Sequence, residues 1–260
     1  LSKANPKTQT KVTSVTLDIE SNGLAPEHDK LYFFGYQINS KGPVIVVEHD
    51  KGEISQELIG FLNDPNITIR GHQIKFDARF LIANGYPVPC GDLDDTKIRA
   101  YLHDPFGELS LAALVKRILH KGHIVFKGIQ KKKKKDIPEG EEIILIEKRK
   151  YLRKDVVAKN KEDVDFTSQL CSRLHASEWY KNVEQPILNM LLRTELRGIN
   201  LDRKHLQKLK DHFEKKTLKL QNDLGKDILL TSSQQVGEEL VKQGVPMSKY
   251  SVRGKAKAKK

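Results

Sequence analysis

The chain has 260 residues, 38% of them apolar, with 46 Lys and Arg against 34 Asp and Glu and a formal net charge of +12. That composition supplies a core for one large domain plus a smaller appendage, and the basic excess favours a polyanionic partner, nucleic acid first. No apolar run approaches the roughly 18 residues of a membrane span, and no membrane partner is expected.

In chain order, Lys11 to Glu20 alternates as a strand does and ends in two carboxylates. Leu31 to Asn39 and Val44 to Glu48 predict two more strands, completing an antiparallel meander with turns at Asn22-Gly23 and Gly42-Pro43. A helix is expected over Ser55 to Leu62, a short strand over Asn66 to Arg70, and a helix over Phe76 to Asn84. Helices follow over Asp94 to Leu102 and Leu109 to Leu119. Residues 120–154 carry an unbroken lysine run (Lys131 to Lys135) with Pro138 and Gly140, and predict a basic mobile loop with a short strand at Ile143 to Ile146. Helices resume at Asp163 to His175, Trp179 to Arg197, Leu201 to about Leu224 and Gln234 to Lys242. Ser251 to Lys260 reads as a disordered basic tail. Strands followed by alternating strand and helices predict an α/β fold, a mixed sheet flanked by helices, with an all-helical C-terminal extension. The expected domains are 1–177 and 178–250, followed by the tail at 251–260.

Several smaller expectations go with this reading. Cys90 and Cys171 lack zinc spacing and read as reduced, buried thiols of an intracellular protein. Leu at position 1 predicts a processed or trimmed start. Trp179, Tyr180 and Phe213 read as core residues on apolar helical faces. The lysine run and the tail either track a nucleic-acid backbone or are a solvated loop and a floppy terminus.

Three carboxylate groups carry the chemistry. Asp18 and Glu20 close the first strand, where a bend can bring the two acids together. Asp77 stands in the first turns of a helix, and Asp163 opens the helix after the lysine-rich segment, in Glu-Asp-Val-Asp-Phe-Thr (162–167). Converging carboxylates are costly unless a cation neutralises them. Four of them suit the two-cation clamp that hydrolyses phosphodiesters.

Leu-Asp-Ile-Glu-Ser-Asn-Gly-Leu (17–24), Gly-His-Gln-Ile-Lys-Phe-Asp (71–77) and the 162–167 segment resemble the three motifs of DEDD-type 3′→5′ exonucleases, most nearly the proofreading domains of family A DNA polymerases. The likeness continues through Asp95-Thr96, Tyr101-Leu102 and Ser110 to Leu114. Gln185-Pro186, Arg197 to Asp202 and Thr231 to Gly237 are similar to the start of the polymerase thumb. The resemblance implies a ribonuclease-H-like fold and two divalent metals, Mg²⁺ or Mn²⁺, on Asp18, Glu20, Asp77 and Asp163. It implies Leu24 wedged against the terminal base, with His72 and Gln73 beside the bound strand end. It implies an intracellular, DNA-associated protein, of a bacterial or phage cytoplasm or a eukaryotic organelle. Its substrate would be single-stranded or primer-template DNA, which releases nucleoside monophosphates. Polymerase palm and fingers would lie in a longer protein or a partner chain, since none follows here and no synthesis is expected of this chain.

The sequence also departs from the family pattern. The water-orienting tyrosine or histidine expected four or five residues before the last aspartate is replaced by Lys159 and Ala158, and the usual Asn by Gln73. Lys159 is therefore placed in the catalytic group with a changed role, and slowed catalysis is expected. Tyr151 and Asp155 offer a rival register for the last motif. Two alternative readings remain: a catalytically weak module that binds DNA ends or bridges to a polymerase, and a DEDD ribonuclease.

Overall fold

A computed structural model of the protein describes residues 11–123, 140–225 and 227–245. The lysine run at 131–135 and the tail at 251–260 lie outside the described residues. The chain divides into two compact units, 1–198 and 199–260.

The first unit is built on a five-stranded mixed sheet of order β3-β2-β1-β4-β5. It comprises β1 (Ser14–Ser21), β2 (Leu31–Ile38), β3 (Ile45–Val47), β4 (Thr68–Gly71) and β5 (Leu93–Asp95). β1 runs antiparallel to β2 and parallel to β4, so the expected meander gains two parallel strands on its other side. The helices are α1 (Gln56–Asn63), α2 (Ile74–Ala83), α3 (Thr96–His103), α4 (Leu111–Leu114), α5 (Arg153–Arg173) and α6 (Gln185–Arg197). This is the α/β, ribonuclease-H-like architecture that the sequence predicts.

Strand alternation assigns the two faces of β1. Val15, Leu17 and Ile19 enter the main core with Leu58 and Leu62 of α1 and Ala78, Phe80 and Leu81 of α2. The even-numbered residues meet α5 on the other face, where Thr16 Oγ1 lies 3.1 Å from Ser168 Oγ and Asp18 touches Asn160. The edge strand β5 is closed off by α6, whose Asn189 accepts the Leu93 N–H at 2.9 Å.

Four sequence expectations need correction. Residues 120–154 are not a loop throughout. They contain a hairpin of the expected strand, β6 (Ile143–Ile146), and an unforeseen one, β7 (Arg149–Leu152), and α5 begins at Arg153 rather than Asp163. Buried apolar partners supply the reason, because Ile144 and Val156 pack with Tyr32 and Phe33 of β2. Second, α6 belongs to the first unit, so the compact division falls after Gly198 and not near Ser177. Its Leu188 and Leu192 are buried in the main core. Third, Tyr180 is buried, but Trp179 and Phe213 are 60% and 58% exposed. Fourth, Cys171 is a buried thiol, whereas Cys90 is exposed.

In the second unit, α7 (Arg203–Leu224) is capped by Asp202, which accepts the His205 N–H at 2.9 Å. Ser232 caps α8 (Ser233–Lys242) in the same way. Among the described residues, no helix is long and apolar enough to cross a membrane.

Candidate active site

The ends of β1 and β4 open into a cleft of about 530 Å³ lined by Asp18, Ile19, His72, Gln73, Phe76, Asp77, Lys97, Leu109, Ser110, Leu111 and Asp163. Asp18 and Glu20 are two residues apart on one strand, so they project from the same face without any bend. Across that face lies α5, where Lys159, Asn160 and Asp163 share a side through their three- and four-residue spacing. Ligand atoms of Asp18, Glu20 and Asp163 come within 4.8 Å of one another. Asp77 enters from the first turn of α2 and accepts the Ile19 N–H on Oδ1 at 3.1 Å. It stands beside the three-acid cluster rather than within it, close enough for its charge to act on Asp18. Asp155 of the rival register is exposed on the first turn of α5, and Asp163 is the aspartate that joins the cluster.

Two residues that hold this arrangement are absent from the sequence expectations. Asn160 donates to the main-chain oxygen of Asp18 at 3.0 Å and to its Oδ2 at 2.8 Å. It reaches them because Gly35, opposite Asp18 in the sheet, has no side chain; a Cβ there would lie 2.3 Å from Asn160 Oδ1. His123 places Nε2 at 2.6 Å from Asp163 Oδ1. The near-helical spacing from Asn160 to Asp163 could have flagged the first. Nothing local to His123 could have flagged the second.

Lys159 lies inside the acid cluster. Its ammonium donates to Asp163 Oδ2 and pairs with Glu20 Oε1 at 3.6 Å. Burial pulls its pKa down, but the charges of Glu20, Asp163 and Asp18 outweigh that and raise it, so the group stays ionised. The pKa values of the acids rise as well, which for a carboxyl favours the neutral form. Burial, then the charges of Asp163, Asp77 and Glu20, push Asp18 well up. Burial raises Glu20 to about 7 against the pull of Lys159, and Asp77 rises mainly by burial.

The remaining predicted residues sit around the cleft. Leu24, on the loop after β1, is 69% exposed. His72 holds Nδ1 at 2.9 Å from Thr96 Oγ1, and burial, then the Lys97 charge, lowers its pKa to about 4. Its ring is therefore neutral at physiological pH. Gln73 is exposed at the N-terminus of α2 with a left-handed φ of 66°, and its Oε1 accepts from Lys97 at 3.0 Å. Asp95 fixes that geometry by accepting the N–H groups of Gln73 and Ile74, both at 3.1 Å, and of Lys97 at 2.8 Å.

This donor set suits hard divalent cations. Its oxygens converge, and burial first, then neighbouring negative charge, raises the pKa values of the acids, a cost that such cations relieve. The chain thus offers a site for hard divalent cations on an α/β, mixed-sheet fold.

Residues 3–177 match the 3′-5′ exonuclease family, and the chain belongs to that family, whose members use two divalent metal ions. No curated protein matches the chain in a sequence comparison. Among solved structures it is similar to Brucella melitensis NrnC bound to pGG, with a TM-score of 0.51 and 18% identity. That likeness covers 70% of this chain and 81% of the other. The same protein with bound Mg²⁺ gives a TM-score of 0.50, 18% identity and the same coverage. The POL domain of Pol1 from M. smegmatis, in complex with DNA primer-template and dNTP, gives a TM-score of 0.50 at 18% identity. There the likeness covers 90% of this chain and 38% of the other.

Proposed function

We propose that the chain removes nucleoside monophosphates from single-stranded or frayed 3′ ends of DNA, as the proofreading part of a family A polymerase system. The meeting of Asp18, Glu20 and Asp163 within 4.8 Å, with Asp77 alongside, carries this reading. Two divalent cations held by these four residues would lower the pKa of water and neutralise charge developing on the leaving 3′ oxygen. The protein's own groups do the rest. Asn160 fixes the Asp18 carboxylate, and the Ile19 N–H fixes Asp77. Leu24 and Phe76 offer apolar surface to a terminal base, and Gln73 with Lys97 offers donors to the strand end. A mismatched end frays more easily and so reaches the cleft more often. Similarity of fold to the Pol1 POL domain over 90% of the chain supports the polymerase setting, because that span extends beyond residue 177.

A second reading follows from Lys159, whose ammonium already neutralises part of the acid cluster. It is a weakly cleaving module that binds DNA ends. A third, RNA trimming, is the other substrate class open to a member of the 3′-5′ exonuclease family.

A single assay separates the three. The chain is incubated with labelled single-stranded, paired and mismatched DNA and with RNA, in Mg²⁺ or Mn²⁺, beside an Asp18→Ala/Glu20→Ala control. Mononucleotide release from DNA that disappears in the control is the expected result. Binding without release supports the second reading, and faster release from RNA supports the third.

A further inference from the structure

We infer that the β6–β7 hairpin is a docking rail for the phosphate backbone of the nucleic-acid strand whose 3′ end enters the cleft. The inference rests on the exonuclease reading and adds a binding site to it.

The hairpin reverses through Glu147 and Lys148, both with positive φ (45° and 68°), the tight turn that suits a twisted two-stranded ribbon. Its tip is fastened to the loop that follows the metal-binding strand. The Glu147 N–H donates to the Asn22 carbonyl at 3.0 Å, and Asn22 is two residues beyond Glu20. Tyr32 of β2 holds the first strand, its hydroxyl donating to the Leu145 carbonyl at 2.9 Å and lying 3.2 Å from the Leu145 nitrogen. At the base, Arg153 binds Asp50, Glu48 and Glu142, and Lys154 pairs with Glu141. The acids at the base are thus neutralised, while the exposed tip carries Lys148, Arg149 and Lys150 against Glu147 alone. Among the described residues, none forms an ion pair with these three cations. A fixed element with unspent positive charge beside the loop that bears Leu24 matches a polyanion running away from the cleft.

The test compares Lys148→Gln/Lys150→Gln with Lys11→Gln/Lys41→Gln, which removes the same charge from exposed lysines at the opposite end of the sheet. All are made in the full chain carrying Asp18→Ala. Binding of fluorescent single-stranded 12-mers of DNA and of RNA is followed over a salt series. The hairpin pair should flatten the log–log salt slope by roughly 1.4 and weaken low-salt binding about tenfold, with the distal pair unchanged. Equal effects of the two pairs, or no binding by the parent chain, overturn the inference. A larger loss with one oligomer tells which backbone the rail favours. Failure of the exonuclease reading would show separately, as no mononucleotide released by the unaltered chain.

Discussion

Lys159 sets the electrostatic state of the site at the level of a single side chain. It stands four residues before Asp163, where the family resemblance leads one to expect a tyrosine, and it pairs with two of the acids that would hold metal. An ammonium and a divalent cation compete for the same negative charge, at an energy of several kcal/mol for close contacts in a partly buried site. Lys159→Met should therefore tighten Mn²⁺ binding at least about tenfold, as measured by calorimetric titration. In EDTA the same variant should lose about 2 kcal/mol of stability, because the acids lose their internal counterion. Unchanged Mn²⁺ affinity would show that the lysine swings clear when metal binds. The sequence exposed the acids and this substitution, since each lies in a recognisable motif. Its motifs include neither Asn160 nor His123, which act on residues 142 and 40 positions away.

Among the secondary-structure elements, α2 matters most, since it brings Asp77 and Gln73 to the cleft. Its N-terminus hangs on Asp95, a buried carboxylate that also caps α3. Asp95→Ala removes acceptors from three N–H groups and should cost about 2–4 kcal/mol in urea unfolding. Mn²⁺ affinity should fall with it as α2 loosens. A loss under 1 kcal/mol would mean that water replaces the cap. The long helices and β1 to β4 were readable because their periodicity repeats over enough residues. β5 was missed, as three residues with two carboxylates give no strand pattern. The first half of α5 was not read as helix because Arg153 and Asn160 interrupt its buried stripe, and each is satisfied by partners outside the helix.

For the molecule as a whole, the family match ends at residue 177 but the compact unit runs to Gly198. Between them, the Tyr180 hydroxyl accepts the Asp95 N–H at 2.7 Å and donates to Asp94 at 2.9 Å, and Leu188 and Leu192 fill the core. A fragment ending at Gly198 should unfold cooperatively. One ending at Ser177 should be less stable by about 5 kcal/mol, much of an ordinary domain's total. Similar urea midpoints for the two fragments would remove α6 from the folding unit.

By itself, the sequence determined the class of fold and the order of the main elements, and it singled out the acids that the structure gathers at one cleft. The elements follow from short-range spacing, which a linear chain records, and the acids from short motifs that resemble a known family. Only the tertiary structure decided which groups surround those acids: Asn160 across Gly35, His123 on Asp163, Lys159 inside the cluster and the hairpin against Asn22. The physical reason is that these contacts depend on how α5 and the hairpin pack across the sheet. That packing is set by side-chain volumes and buried hydrogen bonds summed over the whole unit, which no local pattern contains.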